Sequence, residues 1–310
     1  MKKKIGLLIL IMVTLFAIAA CSSTEEIEPA PADFEFEIVE IREVETLNPN
    51  DLLAVHFIDV DDGDAILLVQ GEYAMLVDSG HINMGTRVFQ YLRSQGIDEL
   101  EYIIATHPFE DHTGGFPEVL RRVAVKNAMI PMVYRDLPGF NAFLEALEHS
   151  AATYGAEVTV PFAGDVFHLG SAEITVLSPR ITDSFGSAAT PNYSIVMRVD
   201  FGNTSFLLMG DAMREVEAIL LDDLSVNLSA DVIKVARHGD SSATTSGLLD
   251  AVNPNIAVIS AERGSRRNSP EVNNRLANVF AHVFDTGNNG NIVITSDGVN
   301  LSVVVDRDTR

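Results

Sequence analysis

The residues with the clearest chemical potential lie in one short stretch, residues 106–115, with the sequence THPFEDHTGG. His107, Asp111 and His112 place two imidazoles and a carboxylate close together, and two glycines then allow a tight backbone path. Neutral imidazole nitrogens and carboxylate oxygens are the ligands that zinc and similar divalent metals accept. The stretch therefore predicts a metal site, and the alternative is a polar loop with surface histidines.

Candidate residues recur in this chain where predicted strands end. The apolar run 102–105 directly before His107 predicts a buried strand, and similar runs precede the other polar positions. The residues at or just beyond such runs are Asp78, His107, Asp111, His112, Asp211 and His238. Because strand ends can meet at one edge of a fold, we expect these side chains to converge. Two β-rich halves, each with helices, predict an α+β protein built as a four-layer αββα sandwich.

The first 20 residues resemble the leader of a bacterial lipoprotein. Lysines at positions 2–4 precede an apolar run at 5–17, and small residues lead to Cys21, the sole cysteine. This pattern predicts cleavage before Cys21, acylation of its sulfur and anchoring on the extracytoplasmic face of a membrane. An ordinary signal peptide or a short anchor is the alternative. Residues 21–51 are then predicted to form a tether, and residues 52–310 the folded domain.

Composition restricts the class of protein. The 310-residue chain is 47% hydrophobic, which is typical of a globular protein, and its formal net charge is -23. That acidity argues against a broad nucleic-acid-binding surface, which needs lysine and arginine facing phosphates. A small anionic substrate held by a metal remains compatible with this negative net charge. One cysteine excludes both an internal disulfide framework and a cysteine-rich zinc site.

Six motifs in order carry a resemblance to a known family. They are residues 60–65 (VDDGDA), 76–80 (LVDSG), 106–115, 192–194 (NYS), 210–212 (GDA) and 234–239 (KVARHG). Together they resemble the metallo-β-lactamase fold, specifically the secreted hydrolase-like domain of the ComEC competence family, from about residue 52 to the C-terminus. The resemblance implies the four-layer sandwich and metal-dependent hydrolysis.

The resemblance also implies a set of metal ligands, from which this chain departs. The family's loop reads His-x-His-x-Asp-His, and Phe109 stands at its second histidine. Arg237 and His238 replace a pair of histidines, and Ser269 replaces a later one. In the family, the first two histidines of the loop hold one metal and its Asp–His pair holds the other. The aspartate at the position of Asp211 bridges the two metals.

The resemblance therefore implies at most one divalent ion, zinc or manganese, in place of a normal two-metal centre, and a site without metal in a fold kept for binding or structure is the alternative. The candidate ligands are His107, Asp111, His112, Asp211 and His238. Which of Arg237 and His238 takes the ligand position stays open, and His81, Asp61 or Asp62 could supply a replacement ligand. Residues expected at the edge of the site are Asp78, His81, Asn192 and Arg237.

The arginines near the motifs have two interpretations each. Arg237 could grip a phosphate or carboxylate of a substrate, or it could neutralise the clustered aspartates in place of a metal. Arg263, Arg266 and Arg267 form a small basic patch, which is either a solvated loop or a substrate contact at the site mouth.

These observations predict a lipid-anchored extracytoplasmic hydrolase that acts on an ester or a phosphodiester. Asp111 or Asp211 would orient the attacking water as the catalytic residue. A non-catalytic relative that binds a ligand or partner at the same edge is the alternative. The expected partners are the membrane, through the lipid anchor, and a small or phosphodiester substrate.

Overall fold

Two β-sheets form the centre of the protein in a computed structural model, which describes residues 51–307. The strands of the first sheet are β1 (Leu53–Phe57), β2 (Ile66–Gln70), β3 (Tyr73–Val77), β4 (Glu99–Ile104), β5 (Ala124–Met129), β6 (Glu157–Thr159), β14 (Ile292–Ser296) and β15 (Leu301–Val305). Their order is β15-β14-β1-β2-β3-β4-β5-β6. The predicted leader, Cys21 and the tether up to residue 50 lie outside the described residues.

The second sheet comes from the later half of the domain. Its strands are β7 (Val166–Leu169), β8 (Ala172–Ser178), β9 (Val196–Phe201), β10 (Thr204–Leu208), β11 (Val232–Lys234), β12 (Ile256–Ile259) and β13 (His282–Asp285), in the order β13-β12-β11-β10-β9-β8-β7. Strands β10 to β13 run parallel, as do β3 to β6 in the first sheet. Each sheet therefore has several carboxyl strand ends at one edge.

Helices cover the outer faces of both sheets. They are α1 (Gly85–Ser94), α2 (Glu110–Thr113), α3 (Phe116–Leu120), α4 (Pro138–Tyr154), α5 (Arg214–Asp222), α6 (Ser246–Val252), α7 (Pro270–Asn278) and α8 (Thr286–Asn289). Apolar side chains of α1, α3 and α4 form one core with the first sheet, and those of α5, α6 and α7 form another with the second. A third core fills the space between the sheets. This arrangement confirms the predicted four-layer αββα sandwich.

Within residues 51–307, no helix combines the length and the apolar character that a membrane crossing requires.

Strand β1 shows how the sequence pattern builds these layers. Leu53, Val55 and Phe57 belong to the core between the sheets. His56 lies on the opposite face, because successive strand side chains point to opposite sides. There its Nδ1 lies 2.9 Å from the Tyr91 hydroxyl of α1. One strand thus packs against two different layers.

Strand β1 ends at Phe57, and the chain does not continue along the sheet. Ile58 instead donates its N–H to the Ala65 carbonyl at 2.9 Å, which closes a turn toward the edge of the sandwich. A Cβ on Gly63 in this turn would lie 2.5 Å from the Asp111 carbonyl, so only glycine permits the close approach.

Buried His56 gives the stability of the fold a defined pH dependence. The side chain is nearly covered at 6% exposure, and burial lowers the pKa of His56 from its ordinary value of 6.5 to about 4. Between these two values the unfolded chain binds more protons than the native state, so stability falls as pH falls from 6.5 toward 4. Between pH 7 and 4.5 we expect this residue to account for about 2 kcal/mol of lost unfolding free energy.

Urea denaturation of the His56→Gln variant at both pH values measures this contribution. The variant should lose less stability on acidification than the wild type. As a control, His168→Gln removes a well-exposed histidine and should leave the pH dependence unchanged. An equal acid sensitivity of wild type and His56→Gln would contradict the assignment.

Candidate metal centre

The polar residues that follow parallel strands meet at one edge of the sandwich. Strands β3 and β4 are parallel neighbours in the first sheet, and β10 and β11 are parallel neighbours in the second. Their carboxyl ends face the same edge, so residues far apart in the chain come together. The residues placed there are Asp78 after β3, His107 after β4, Asp111 and His112 on α2, Asp211 after β10 and His238 after β11.

Three histidine side chains point the same ring atom at one carboxylate. The Nε2 atoms of His107, His112 and His238 lie 3.7, 3.5 and 3.6 Å from the carboxylate oxygens of Asp211. His238 Nε2 also lies 3.7 Å from Asp111 Oδ2. These distances are too long for hydrogen bonds. Among the described residues there are three metal-capable groups, each with donor atoms within 4.8 Å of one another: His107, His112 and Asp211; Asp111, His112 and His238; and Asp64, Asp78 and His112.

The other ring nitrogen of each histidine is already engaged. The Nδ1 contacts are His107 with Thr106 Oγ1 at 3.2 Å, His112 with Asp78 Oδ2 at 2.7 Å, and His238 with the Ser260 carbonyl at 2.8 Å. A carbonyl or an ionised carboxylate only accepts, so Nδ1 of His112 and of His238 carries the hydrogen. Contacts of this kind fix the orientation of a metal-binding imidazole and leave its Nε2 atom available to a metal ion.

The atoms that face inward have no hydrogen-bond partner in the described part of the chain. Among residues 51–307, Nε2 of His107, His112 and His238 and Oδ1 of Asp211 are buried without a hydrogen bond. Buried polar groups are normally satisfied. A convergent set of unsatisfied imidazole nitrogens and a carboxylate oxygen therefore fits a bound cation, and the donor types are those that zinc accepts.

The charges of the cluster are set by burial and by the neighbours. Burial opposes protonation of His112, but the carboxylates of Asp78 and Asp211 outweigh it and raise the pKa of His112 to about 10. Burial, followed by the nearby His112, lowers the pKa of His107 to about 3. Burial also works against ionisation of Asp111 and Asp211, yet the surrounding histidines hold the pKa of both carboxyls below the usual range. Both carboxylates are ionised at neutral pH.

Thr106 and Ser194 hold the aspartates in place. Thr106 donates its backbone N–H to Asp78 Oδ1 at 2.8 Å and its hydroxyl to Oδ2 at 2.6 Å. The Asp211 N–H donates to Ser194 Oγ at 3.1 Å. Asn192 is buried beneath the loop that follows Asp211. There its side chain accepts a hydrogen bond from the Met213 N–H at 2.9 Å and donates one to Glu215 at 3.1 Å. Asn192 therefore supports the loop after Asp211, and it belongs to none of the metal-capable groups.

Lys234 and Asp64 form a buried ion pair beneath the cluster. This pair was not predicted from the sequence. Lys234 Nζ donates to Asp64 Oδ2 and, at 3.1 Å, to the Gly210 carbonyl. Asp64 also lies 3.7 Å from His112 Nδ1 and 3.8 Å from His238 Nδ1. The signal was a lysine inside the apolar run VIKV at 232–235, because a charge in a buried strand requires a partner.

The structure separates the roles of two arginines. Arg237 has a buried Nε atom with no hydrogen-bond partner, and it makes no ion pair with a cluster carboxylate among residues 51–307. Arg267 from the predicted basic patch does make one, with Nη1 2.8 Å from Asp111 Oδ2. Its Nε also lies 3.4 Å from Asp62 Oδ2. The cation that contacts the cluster at its mouth is therefore Arg267.

The alternative ligands lie outside the metal-capable groups. His81 is half-buried in a groove beside the site, Asp61 pairs with Arg87 at 3.6 Å, and Asp62 pairs with Arg267. Ser269 caps α7 by accepting the Glu271 N–H at 3.1 Å. Phe109 packs on His107, with ring centroids 5.2 Å apart. The structure thus brings the five predicted ligands together, with His238 and not Arg237 in the cluster.

This fold and cluster define the class of protein. Residues 58–262, more than half of the chain, match the metallo-beta-lactamase superfamily, and the chain belongs to that superfamily. Its relatives include ComE operon protein 3 of Bacillus subtilis, 28% identical over 258 residues, which are 77% of this chain and 32% of that protein. Recombination protein 2 of Haemophilus influenzae is 31% identical over 215 residues, 67% of this chain and 24% of that protein.

These relatives confirm the predicted relationship to ComEC-type competence proteins, although the chain spans a third or less of their length. Among solved structures, the metallo-beta-lactamase fold protein YhfI from Bacillus subtilis is similar, with a TM-score of 0.54 and 14% identity. That match covers 79% of this chain and 100% of YhfI. At this identity the likeness supports the fold.

Proposed function

We propose that this chain is a metal-dependent hydrolase that holds one divalent ion, zinc or manganese, and cleaves an ester or a phosphodiester. The observation that supports the proposal best is the convergence of three unpaired, buried imidazole nitrogens on Asp211. Each buried polar atom without a partner costs about 1–3 kcal/mol. A cation that binds all of them removes that cost.

The donor set fits one ion better than two. All three metal-capable groups of the described residues contain His112. Its Nδ1 is hydrogen-bonded to Asp78, so Nε2 is its one remaining nitrogen and can serve one ion once that ion displaces the Nε2 proton. The donors for that ion would come from His107, Asp111, His112, Asp211 and His238. Phe109 has no lone pair that could complete a second site.

Asp111 and Asp211 are suited to orienting a water molecule, and they are not suited to acting as a general base. When bound, the ion would act as a Lewis acid toward water and toward the scissile group. Asp111 and Asp211 stay ionised, so their oxygens accept hydrogen bonds from the attacking water and orient it. Because their pKa values lie below the usual range, they are weak proton acceptors. We therefore assign them the positioning of water.

The proposal also places the protein on the extracytoplasmic face of a membrane, anchored through acylated Cys21. Three lysines, an apolar run and small residues before the sole cysteine support it. Recovery of the protein in the cytosolic fraction of cells would contradict this part.

Metal analysis and substrate hydrolysis test the proposed activity. The purified protein should carry about one equivalent of zinc or manganese at neutral pH, because its donors suit a single site. It should hydrolyse bis(p-nitrophenyl) phosphate or p-nitrophenyl acetate, lose that activity with EDTA and regain it with the metal. A protein without bound zinc or manganese would contradict the proposal. Metal binding without turnover of either substrate would favour the non-catalytic binding module.

A further inference from the structure

Arg267 lies at the boundary between the cluster and solvent. The loop between β12 and α7 carries Arg263, Arg266 and Arg267, and only the last has an ion pair with a cluster carboxylate among the described residues. The Arg267 side chain is 43% exposed, so its guanidinium is accessible from outside while it contacts Asp111. A second contact, which Arg267 makes with Asp62 on the turn after β1, holds the guanidinium across the mouth of the site.

One carboxylate oxygen of Asp111 faces both this guanidinium and His238. Asp111 Oδ2 lies 2.8 Å from Arg267 Nη1 and 3.7 Å from His238 Nε2. A divalent ion held near His238 and Asp111 would place a second positive charge beside the same oxygen. The two cations would repel each other, and the repulsion is strong at such short range in a partly buried site. Metal binding and the Arg267–Asp111 pair are therefore antagonistic.

The surroundings of the site are acidic. Asp61, Asp62, Glu110 and Glu262 line a groove of about 560 Å³ beside the mouth. This charge would repel an anionic substrate unless a cation at the mouth received it. A guanidinium is suited to that task, because it donates paired, charge-assisted hydrogen bonds to phosphate oxygens. Lys234, a second cation near the cluster, is fully buried and paired to Asp64.

We propose that Arg267 is the anion-recognition residue of this site. A divalent ion on Asp111 releases the guanidinium, which then binds a non-bridging oxygen of a phosphate-type substrate. The inference rests on the proposed function and narrows it to anionic phosphodiesters over neutral esters. In the absence of metal, the same guanidinium covers Asp111 and weakens the affinity of the site for the ion.

Three measurements on the full-length protein and its Arg267→Gln variant test the inference. Zinc affinity, measured by competition with a chromophoric chelator, should rise about tenfold in the variant, because one charged hydrogen bond to Asp111 is lost. Binding of inorganic phosphate to the zinc-loaded protein, measured by calorimetry, should weaken about tenfold. The kcat/KM for bis(p-nitrophenyl) phosphate should fall while that for p-nitrophenyl acetate is retained.

Arg266→Gln is the matched control, since Arg266 is an exposed neighbour in the same loop and makes no ion pair with the cluster among the described residues. Equal effects in both variants would indicate a general charge effect and overturn the assignment. Unchanged phosphate binding in Arg267→Gln, with zinc bound, would overturn it and leave the proposed metal centre intact. Failure of both wild type and variant to bind zinc would overturn the metal centre and the inference together.

Discussion

The Asp211→Ala variant is expected to lose bound metal, with an affinity for zinc reduced by more than about 100-fold. Asp211 is the one carboxylate that lies within 3.7 Å of the Nε2 atom of all three histidines among the described residues. Its removal takes away the anionic donor on which those nitrogens converge. Any metal-dependent hydrolysis should disappear with the metal.

The substitution is suited to this test because the backbone contact of Asp211 survives it. The N–H that donates to Ser194 Oγ remains in the alanine variant, so the loop keeps its anchor. Metal content is measured after gel filtration, and circular dichroism verifies the fold. Asp250→Ala, an exposed aspartate on α6, is the control and should retain the metal. Full stoichiometry in Asp211→Ala would show that the ligand assignment is wrong.

The Lys234→Met variant is expected to be destabilised by about 3–5 kcal/mol. Lys234 and Asp64 are both almost completely buried, and loss of the ammonium leaves the Asp64 carboxylate buried without its cation. The ion pair also works against protonation of that carboxyl: burial raises the pKa of Asp64, but Lys234 and the neighbouring histidines bring it below the ordinary value. Urea denaturation at pH 7 with EDTA present measures the loss without a contribution from metal.

A second substitution distinguishes charge from packing. In the double variant Asp64→Asn with Lys234→Met, the unpaired charge is gone, so part of the lost stability should return. Lys126→Met removes a lysine on the surface of β5 that pairs with Glu99 and Glu101, and it should have little effect because exposed ion pairs are screened by water. A single Lys234→Met variant as stable as the wild type would contradict the role of the pair.

The loop that carries the ligands and the layered fold could both be predicted from the sequence, because both depend on patterns of residue types over short stretches of chain. His107, Asp111 and His112 are close in the chain, and the apolar run before them predicted the strand that carries them. Alternation along strands and helical periodicity then predicted which faces are covered. The same reasoning predicted that the later aspartate and histidine, Asp211 and His238, would reach the same edge.

The choice between Arg237 and His238 could not be made from their adjacent positions. Both residues have left-handed backbone angles, with φ of 51° and 57°, in the turn after β11. Few residues other than glycine adopt this region of backbone angles, and the local sequence pattern does not predict where it occurs. The turn sets the directions of the two side chains, and it places His238 in the cluster.

The partners of the two cations at the site could not be predicted from the sequence for a related reason. Lys234 and Asp64 are separated by 170 positions, and Arg267 and Asp111 by 156. No spacing rule connects residues so far apart, because their contact depends on how the two sheets pack and on where the loop before α7 returns. Residue types in the chain thus indicate a metal site, whereas the packing of the sheets determines which charges complete it.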